Sequence, residues 1–430
     1  MMRWLYDLGF LTFALISLPH FLGRMKQAED QKQLLRERFG FLPQENLTAF
    51  REKRPVWIHC VSVGEVLAVE KFLKLFLARE PRQNVVVTTV TPTGQRIAKQ
   101  WENERLKVFY FPFDVSSAVG RFFETVRPRL LLLVETEIWP NVIEEARRRK
   151  VPVGIVNGRL SERSFRSFRK FGFLFRPIWG GIDFFLVQTE KDRERWVNLG
   201  VNPERVRVTG SMKLDAFDLN GQWQRDREAL RERWGLRAFE KVFIGGSTHA
   251  GEEEILLRVL GRLREEGLPV KLVLAPRHIE RSQKIFEQVK KAGFQGMRAS
   301  QGAGHADFDV LILDQLGELR KFYAAADAAF VGGSLIRHGG QNPVEPAASR
   351  RPILHGPWVF HFEELYERLD EGGGSVRVSG EEEMIFALRR ILRSDRETEY
   401  LGSRAFEILK GLQGASERTF TWIGENYELG

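Results

Sequence analysis

The sequence predicts two doubly wound α/β domains in tandem, and three observations carry that prediction. Short, uniformly apolar runs alternate with amphipathic stretches along nearly the whole chain, the pattern of parallel strands covered on both faces by helices. The alternation breaks once, in a polar and charged stretch over 218–233, and then restarts. A length of 430 residues exceeds one ordinary core and fits two domains of roughly 150–200 residues each.

In the first half the strand-like runs are 56–61, 85–90, 108–111, 130–134, 153–156, 184–187 and 206–209, with helical stretches such as 66–77 and 141–149 between them. In the second half they are 242–246, 272–275, 310–313, 328–332 and 353–354. There is no internal repeat and no low-complexity segment. A hydrophobic content of 43% with 29% charged residues excludes both a disordered chain and a multi-span membrane protein. The net charge of +9 implies an acidic partner: nucleic acid, an anionic membrane or a phosphorylated substrate. Cys60 is the only cysteine, so an intrachain disulfide and a cysteine-based metal cluster are excluded. The eight histidines show no HxxxH or HExxH spacing, and no metal site is expected.

The apolar run 8–18, extended by Trp4, Leu5, Tyr6, Phe21 and Leu22, reaches about the 20 residues that a spanning helix requires. Asp7 is costly inside lipid, and no small-x-small cleavage site follows the run. Arg24, Lys26, Lys32, Arg36 and Arg38 lie just beyond, which by the positive-inside rule leaves the rest of the chain in the cytoplasm. The expectation is a membrane anchor or interfacial helix over 1–24.

Open α/β sheets bind ligands beyond the carboxyl ends of their strands, so polar residues that follow strands are the candidates. The first is Glu65, in Ser62-Val63-Gly64-Glu65 at the start of a helix. It is either a first-turn acid complementing the helix dipole or a general base for an attacking hydroxyl. The run 130–134 ends in Glu135-Thr136-Glu137-Ile138-Trp139-Pro140-Asn141, two carboxylates and an aromatic that packing explains poorly. Gly210-Ser211-Met212-Lys213 brings Lys213 to the same mouth, as a solvated charge or as a phosphate or carboxylate partner.

The second half adds Gly246-Ser247-Thr248-His249, then Pro276-Arg277-His278, then Leu316-Gly317-Glu318. It closes with Gly332-Gly333-Ser334 and Gly339-Gly340 leading to Asn342-Pro343-Val344-Glu345. Glycines admit a ligand close to the backbone, and a helix start offers N–H groups to a phosphate while Glu345 meets ribose hydroxyls. A ligand-free capping box between Asn342 and Glu345 fits equally well. No GxxxxGK[ST] loop and no GxGxxG after a first strand is present, which disfavours nucleotide hydrolysis and dinucleotide redox chemistry. In 159–173 basic residues interleave with phenylalanines, either as a helix turning Phe to the core or as a surface for anionic lipid. No recognisable nucleic-acid module surrounds it, and no nucleic-acid partner is expected.

In order, these motifs resemble the lipid A 3-deoxy-D-manno-octulosonic acid (Kdo) transferase family, together with Thr91-Pro92-Thr93-Gly94 and Ile279-Glu280-Arg281. The resemblance covers essentially the whole chain. Departures are small: Gln341 where His is common, Gln315-Leu316 before Gly317, and His361 where Asn usually precedes Phe362. It implies a GT-B fold, two Rossmann-like domains facing a cleft. By residue numbers the chain is an anchor over 1–24, an acceptor domain over 25–220, a CMP-sugar domain over 221–405 and a C-terminal helix over 406–430, of the kind that often crosses back to the acceptor domain. It also implies an inverting, metal-independent transfer of Kdo from CMP-Kdo to a lipid A precursor, with no cofactor, on the cytoplasmic face of the bacterial inner membrane. Glu65 is then the general base, and Glu135 and Lys213 stabilise the transition state. CMP is held by Pro276, Arg277, Leu316, Gly317, Glu318, Asn342, Pro343, Val344 and Glu345. The residues by themselves leave open a UDP-sugar enzyme of the same fold. They also leave open a non-catalytic basic protein docking on anionic membranes, which gives Glu65 and Glu135 no task.

Overall fold

The computed structural model describes residues 6–7, 30–43, 47–217, 219, 221, 223–302 and 307–428. It divides into two compact units, one formed by 1–216 with 413–430 and the other by 217–412. Each holds one seven-stranded sheet in which every neighbouring pair is parallel.

The first sheet consists of β1 (Val56–Cys60), β2 (Val85–Thr89), β3 (Leu106–Tyr110), β4 (Leu130–Val134), β5 (Val153–Gly158), β6 (Phe184–Val187) and β7 (Val206–Val208). The spatial order is β3-β2-β1-β4-β5-β6-β7. The chain therefore runs outward from β1, returns to β4 beside it and runs out the other way, so the order reverses between β1 and β4. Strands β1, β2 and β4 are buried at every position, which is why they read as unbroken apolar runs. Alternate residues feed two cores. Trp57, Val86, Leu131 and Leu133 meet Phe122 and Phe123 of helix Ser116–Val126, while Ile58, Val87 and Leu132 meet Val66, Phe72 and Phe76 of helix Val63–Arg79.

The tail of the chain belongs to this unit. Helix Ala415–Asn426 adds Phe420 and Ile423 to the second core; Phe420 lies 6.1 Å from Phe76 and Trp422 lies 4.7 Å from Phe184, ring centre to ring centre. The buried Asp215 carboxylate accepts from Gly414 N–H at 2.7 Å and Ser416 N–H at 2.6 Å. Where one terminal helix over 406–430 was expected, there are two, Asp395–Leu412 in the second unit and Ala415–Asn426 in the first. The break falls at Gly414, whose φ of 92° is left-handed and ends a helix.

The second sheet consists of β8 (Lys241–Thr248), β9 (Val270–Pro276), β10 (Gly296–Arg298), β11 (Val310–Ile312), β12 (Ala328–Val331), β13 (Ile353–His355) and β14 (Ser375–Arg377). Its order, β10-β11-β9-β8-β12-β13-β14, reverses between β8 and β12. The edge strands β10 and β14 were not expected: each has three residues, Gly-Met-Arg and Ser-Val-Arg, too short and too polar to form an apolar run. The division between units falls after Ala216, a few residues before the expected 220/221.

The expected anchor lies outside the described residues except for Tyr6 and Asp7, and among the described residues no helix is long and apolar enough to cross a membrane. Tyr6 Oη donates to Asp114 Oδ2 at 2.9 Å. Asp7 Oδ1 accepts from Asn141 Nδ2 at 2.7 Å and from Ser116 N–H at 3.2 Å. The acid that lipid would penalise is thus bonded to the first unit.

Candidate active site

Seven described residues other than glycine have positive φ. Four of them, Arg54, Arg127, Lys150 and Arg350, come just after helices, where a left-handed residue is an ordinary stop. The other three are Glu135 at 62°, Asn157 at 52° and Ser247 at 53°, and all stand at carboxyl ends of strands. Holding such residues left-handed costs about 1 kcal/mol or more each, and strain of this kind gathers where function requires a fixed geometry. The ends of β4 and β8, carrying Glu135 and Ser247, border the reversals of strand order, the position at which open α/β sheets form their ligand crevice, and Asn157 stands one strand further out on β5.

In the first unit the β1–β4 reversal brings together Glu65, Glu135 and Lys213. Ser62 caps helix Val63–Arg79, accepting from Glu65 N–H at 3.4 Å, and its hydroxyl donates to Glu65 Oε1 at 2.8 Å. Glu65 Oε2 accepts from Val61 N–H at 2.7 Å, and the side chain is only 6% exposed. Glu65 is thus tied into the helix cap through both carboxyl oxygens. Burial pushes its pKa up, the bonds from Val61 and Ser62 hold it back, and the charge of Glu135 raises it further. The result is a more basic carboxylate with a fixed orientation.

Glu135 N–H donates to Val156 O at 3.0 Å, continuing the β4–β5 ladder, and its Oε1 lies 2.6 Å from Lys213 Nζ. Lys213 is set by Asn157, whose Oδ1 accepts from Met212 N–H at 2.9 Å at the start of helix Met212–Asp215. Asn157 is fully buried and was missed in the sequence; the one available signal was an Asn-Gly pair closing a strand-like run. Glu137 is pushed up to about 8 by burial first, then by the charges of Glu65 and Glu135. Asn141 does not face a ligand: it is 2% exposed, and its Nδ2 donates to Asp114 O at 2.7 Å as well as to Asp7.

In the second unit, at the β8–β12 reversal, the N–H groups of His249 and of residues 333–335 in the glycine-rich loop are all taken by one carboxylate. Glu252 Oε2 accepts from Gly333 N–H at 2.7 Å and His249 N–H at 2.9 Å, and its Oε1 accepts from Ser334 and Leu335 N–H, each at 3.1 Å. The approach of the two strand ends is what requires a glycine at 332, where a Cβ would come within 2.7 Å of Thr248 Cα.

The helix after the loop, Val344–Ala348, has five residues and a correspondingly weak dipole. Asn342 Oδ1 accepts from Val344 N–H at 3.1 Å, a turn in place of the alternative capping box, and Glu345 makes no side-chain bond among the described residues. Burial raises the Glu345 pKa, opposed by Arg320. Arg281 is committed to the buried Glu253 through two bonds of 2.8 and 3.0 Å. Arg277, after β9, is exposed and has no ion pair among the described residues. Leu316 and Gly317 stand exposed after β11, and Glu318 pairs with Lys321 at 2.9 Å.

The basic segment forms helix Glu162–Lys170, which follows β5 and buries none of its residues. Phe165 and Phe168 turn toward the core, while Phe171 stays 42% exposed beside Arg163, Arg166, Arg169 and Lys170.

Two Rossmann-like α/β units, each with polar groups gathered at a strand-order reversal, make a GT-B-like fold. In fold the chain is similar to UDP-GlcNAc 2-epimerase from Neisseria meningitidis bound to UDP-GlcNAc, with a TM-score of 0.58 and 15% identity over 86% of this chain and 100% of that one. Residues 33–216 match the model of the 3-deoxy-D-manno-octulosonic-acid transferase (kdotransferase) family. The 3-deoxy-D-manno-octulosonic acid transferase of Haemophilus influenzae is 33% identical over 90% of both chains. That of Chlamydophila psittaci is 34% identical over 85% of this chain and 83% of its own. The chain belongs to this transferase family.

Proposed function

We propose that this enzyme transfers Kdo, with inversion and without a metal, from CMP-Kdo to a hydroxyl of the lipid A precursor lipid IVA during lipopolysaccharide biosynthesis. The observation that carries this reading is the convergence of Glu65, Glu135 and Lys213 at one strand-order reversal. In a direct displacement Glu65 takes the acceptor hydroxyl proton as that oxygen bonds to the anomeric carbon. The bond from that carbon to the phosphate oxygen breaks, and CMP departs with the electron pair. Lys213, oriented by Glu135, supplies positive charge where negative charge develops.

CMP is received by the second unit. Pro276 and Arg277 meet its phosphate, Leu316, Gly317 and Glu318 the base side, and Asn342, Pro343, Val344 and Glu345 the ribose. An exposed, unpaired Arg277 is suited to a single phosphate, which needs no divalent cation for neutralisation. The exposed cations of helix Glu162–Lys170 stand on the same sheet edge as Glu65, which favours an acceptor with phosphates and an anionic membrane surface on the cytoplasmic side. The test is incubation with CMP-Kdo and lipid IVA in EDTA, followed by mass spectrometry of the lipid. A mass gain of one or more Kdo units is expected. Activity only with a UDP-sugar, or only with added metal, contradicts the assignment.

A further inference from the structure

The donor assigned above carries two anions on one carbon: the ulosonic acid has its carboxylate and its phosphate ester on the anomeric centre. Two anions so close need two sets of donors, and the second unit shows clearly where one comes from. Arg277 is the exposed, unpaired guanidinium after β9, whereas Arg281 is tied to Glu253. In the glycine-rich loop the N–H groups of Gly333, Ser334 and Leu335 are consumed by Glu252. Recognition of the second anion therefore passes to side chains.

Beside that loop stands a group of histidines that the reaction has not yet used. The His249 ring lies against that of His338, centres 3.9 Å apart and planes at 39°. His278 meets His249 edge-on at 6.0 Å, and His361 meets His338 at 6.1 Å. Gln341 Nε2 lies 3.1 Å from His249 Nε2. An amide nitrogen only donates, so His249 Nε2 accepts and the ring proton sits on Nδ1. His249 is thereby a neutral donor of fixed tautomer. Burial first, then His338, His278, Arg281 and Arg277, lower its pKa to about 4, in keeping with that state. His338 is exposed, and its ring has no hydrogen-bond or ion-pair partner among the described residues.

We propose that the stacked His249–His338 pair at the β8–β12 reversal is the subsite for the sugar carboxylate of the donor, leaving Arg277 to the phosphate. The neutral His249 donor orients that carboxylate without withdrawing the charge that stabilises the cationic anomeric carbon as the phosphate departs. The pair also sets specificity, since a donor sugar without a carboxylate leaves these donors unsatisfied.

This proposal rests on the CMP-Kdo reading, and the experiment separates the two. CMP binding by calorimetry and the KM for CMP-Kdo are measured on the full chain and on His338→Asn, with His249→Asn as a second variant. Thermal melting confirms that each is folded. His338→Asn is expected to raise the KM for CMP-Kdo about tenfold while the Kd of CMP, which lacks the carboxylate, changes less than about twofold. An equal loss for CMP and CMP-Kdo overturns the carboxylate assignment, as does an unchanged KM in both folded variants. Wild-type protein that neither binds CMP nor transfers Kdo overturns the donor reading itself.

Discussion

Glu65 bonds to its own turn through both carboxyl oxygens, and a residue so engaged could be a cap and nothing more. Substitution separates the roles. Glu65→Gln keeps the side-chain volume and one acceptor oxygen but removes the base, so kcat should fall roughly 10²–10⁴-fold. The melting temperature should move little and CMP affinity not at all; normal turnover in a folded Glu65→Gln removes the base assignment. Glu137 makes a second prediction, on pH. Its carboxyl is raised from 4.5 to about 8, so between those values the folded chain keeps a proton that the unfolded chain has released. Its contribution to stability is full below the unfolded value and is lost as pH rises to about 8. Glu137→Gln imitates the protonated form and escapes that loss. The melting temperature of the variant relative to wild type should therefore climb between pH 5 and pH 8, whereas a flat difference would mean that Glu137 is ionised throughout.

At the scale of elements the strands were the most legible part. All seven of the first sheet were marked, most plainly β1 and β4, because a strand buried on both faces has no polar side to interrupt it. Strands β10 and β14, at the edges, carry Gly, Arg and Ser and have no such signature. Searching strand ends brought out Glu65, Glu135 and Lys213, since their chemistry follows a strand directly. Glu252 was not legible: it opens a run of three glutamates on helix Glu252–Glu265 that reads as dipole complement, and its partners lie 81 to 83 positions away. Histidines 338 and 361 were hidden for the same reason, proximity without sequence proximity. Four backbone donors share the Glu252 carboxylate, and an amide offers one acceptor oxygen and turns an NH2 toward the rest. Glu252→Gln should cost about 2–3 kcal/mol. It should also speed hydrogen exchange at residues 333–335; unaltered protection there would show that the loop stands without this anion.

At the scale of the whole molecule, the amino-terminal unit is built from two separated stretches, whereas 217–412 is continuous. A chain ending at residue 412 loses Phe420 and Ile423 from the core and both N–H donors to Asp215. Two large side chains at about 2 kcal/mol each put the loss near 4 kcal/mol before Asp215 is considered. Calorimetry of the truncated chain should show the transition of the amino-terminal unit lowered or gone and that of 217–412 unchanged. If both transitions persist at their original temperatures, the tail is dispensable to that core. The same architecture dictates an order of events during synthesis. Residues 413–430 are translated after 217–412, so the domain begun first is completed only after the second has been made, and its carboxylate at 215 waits for its partners until then.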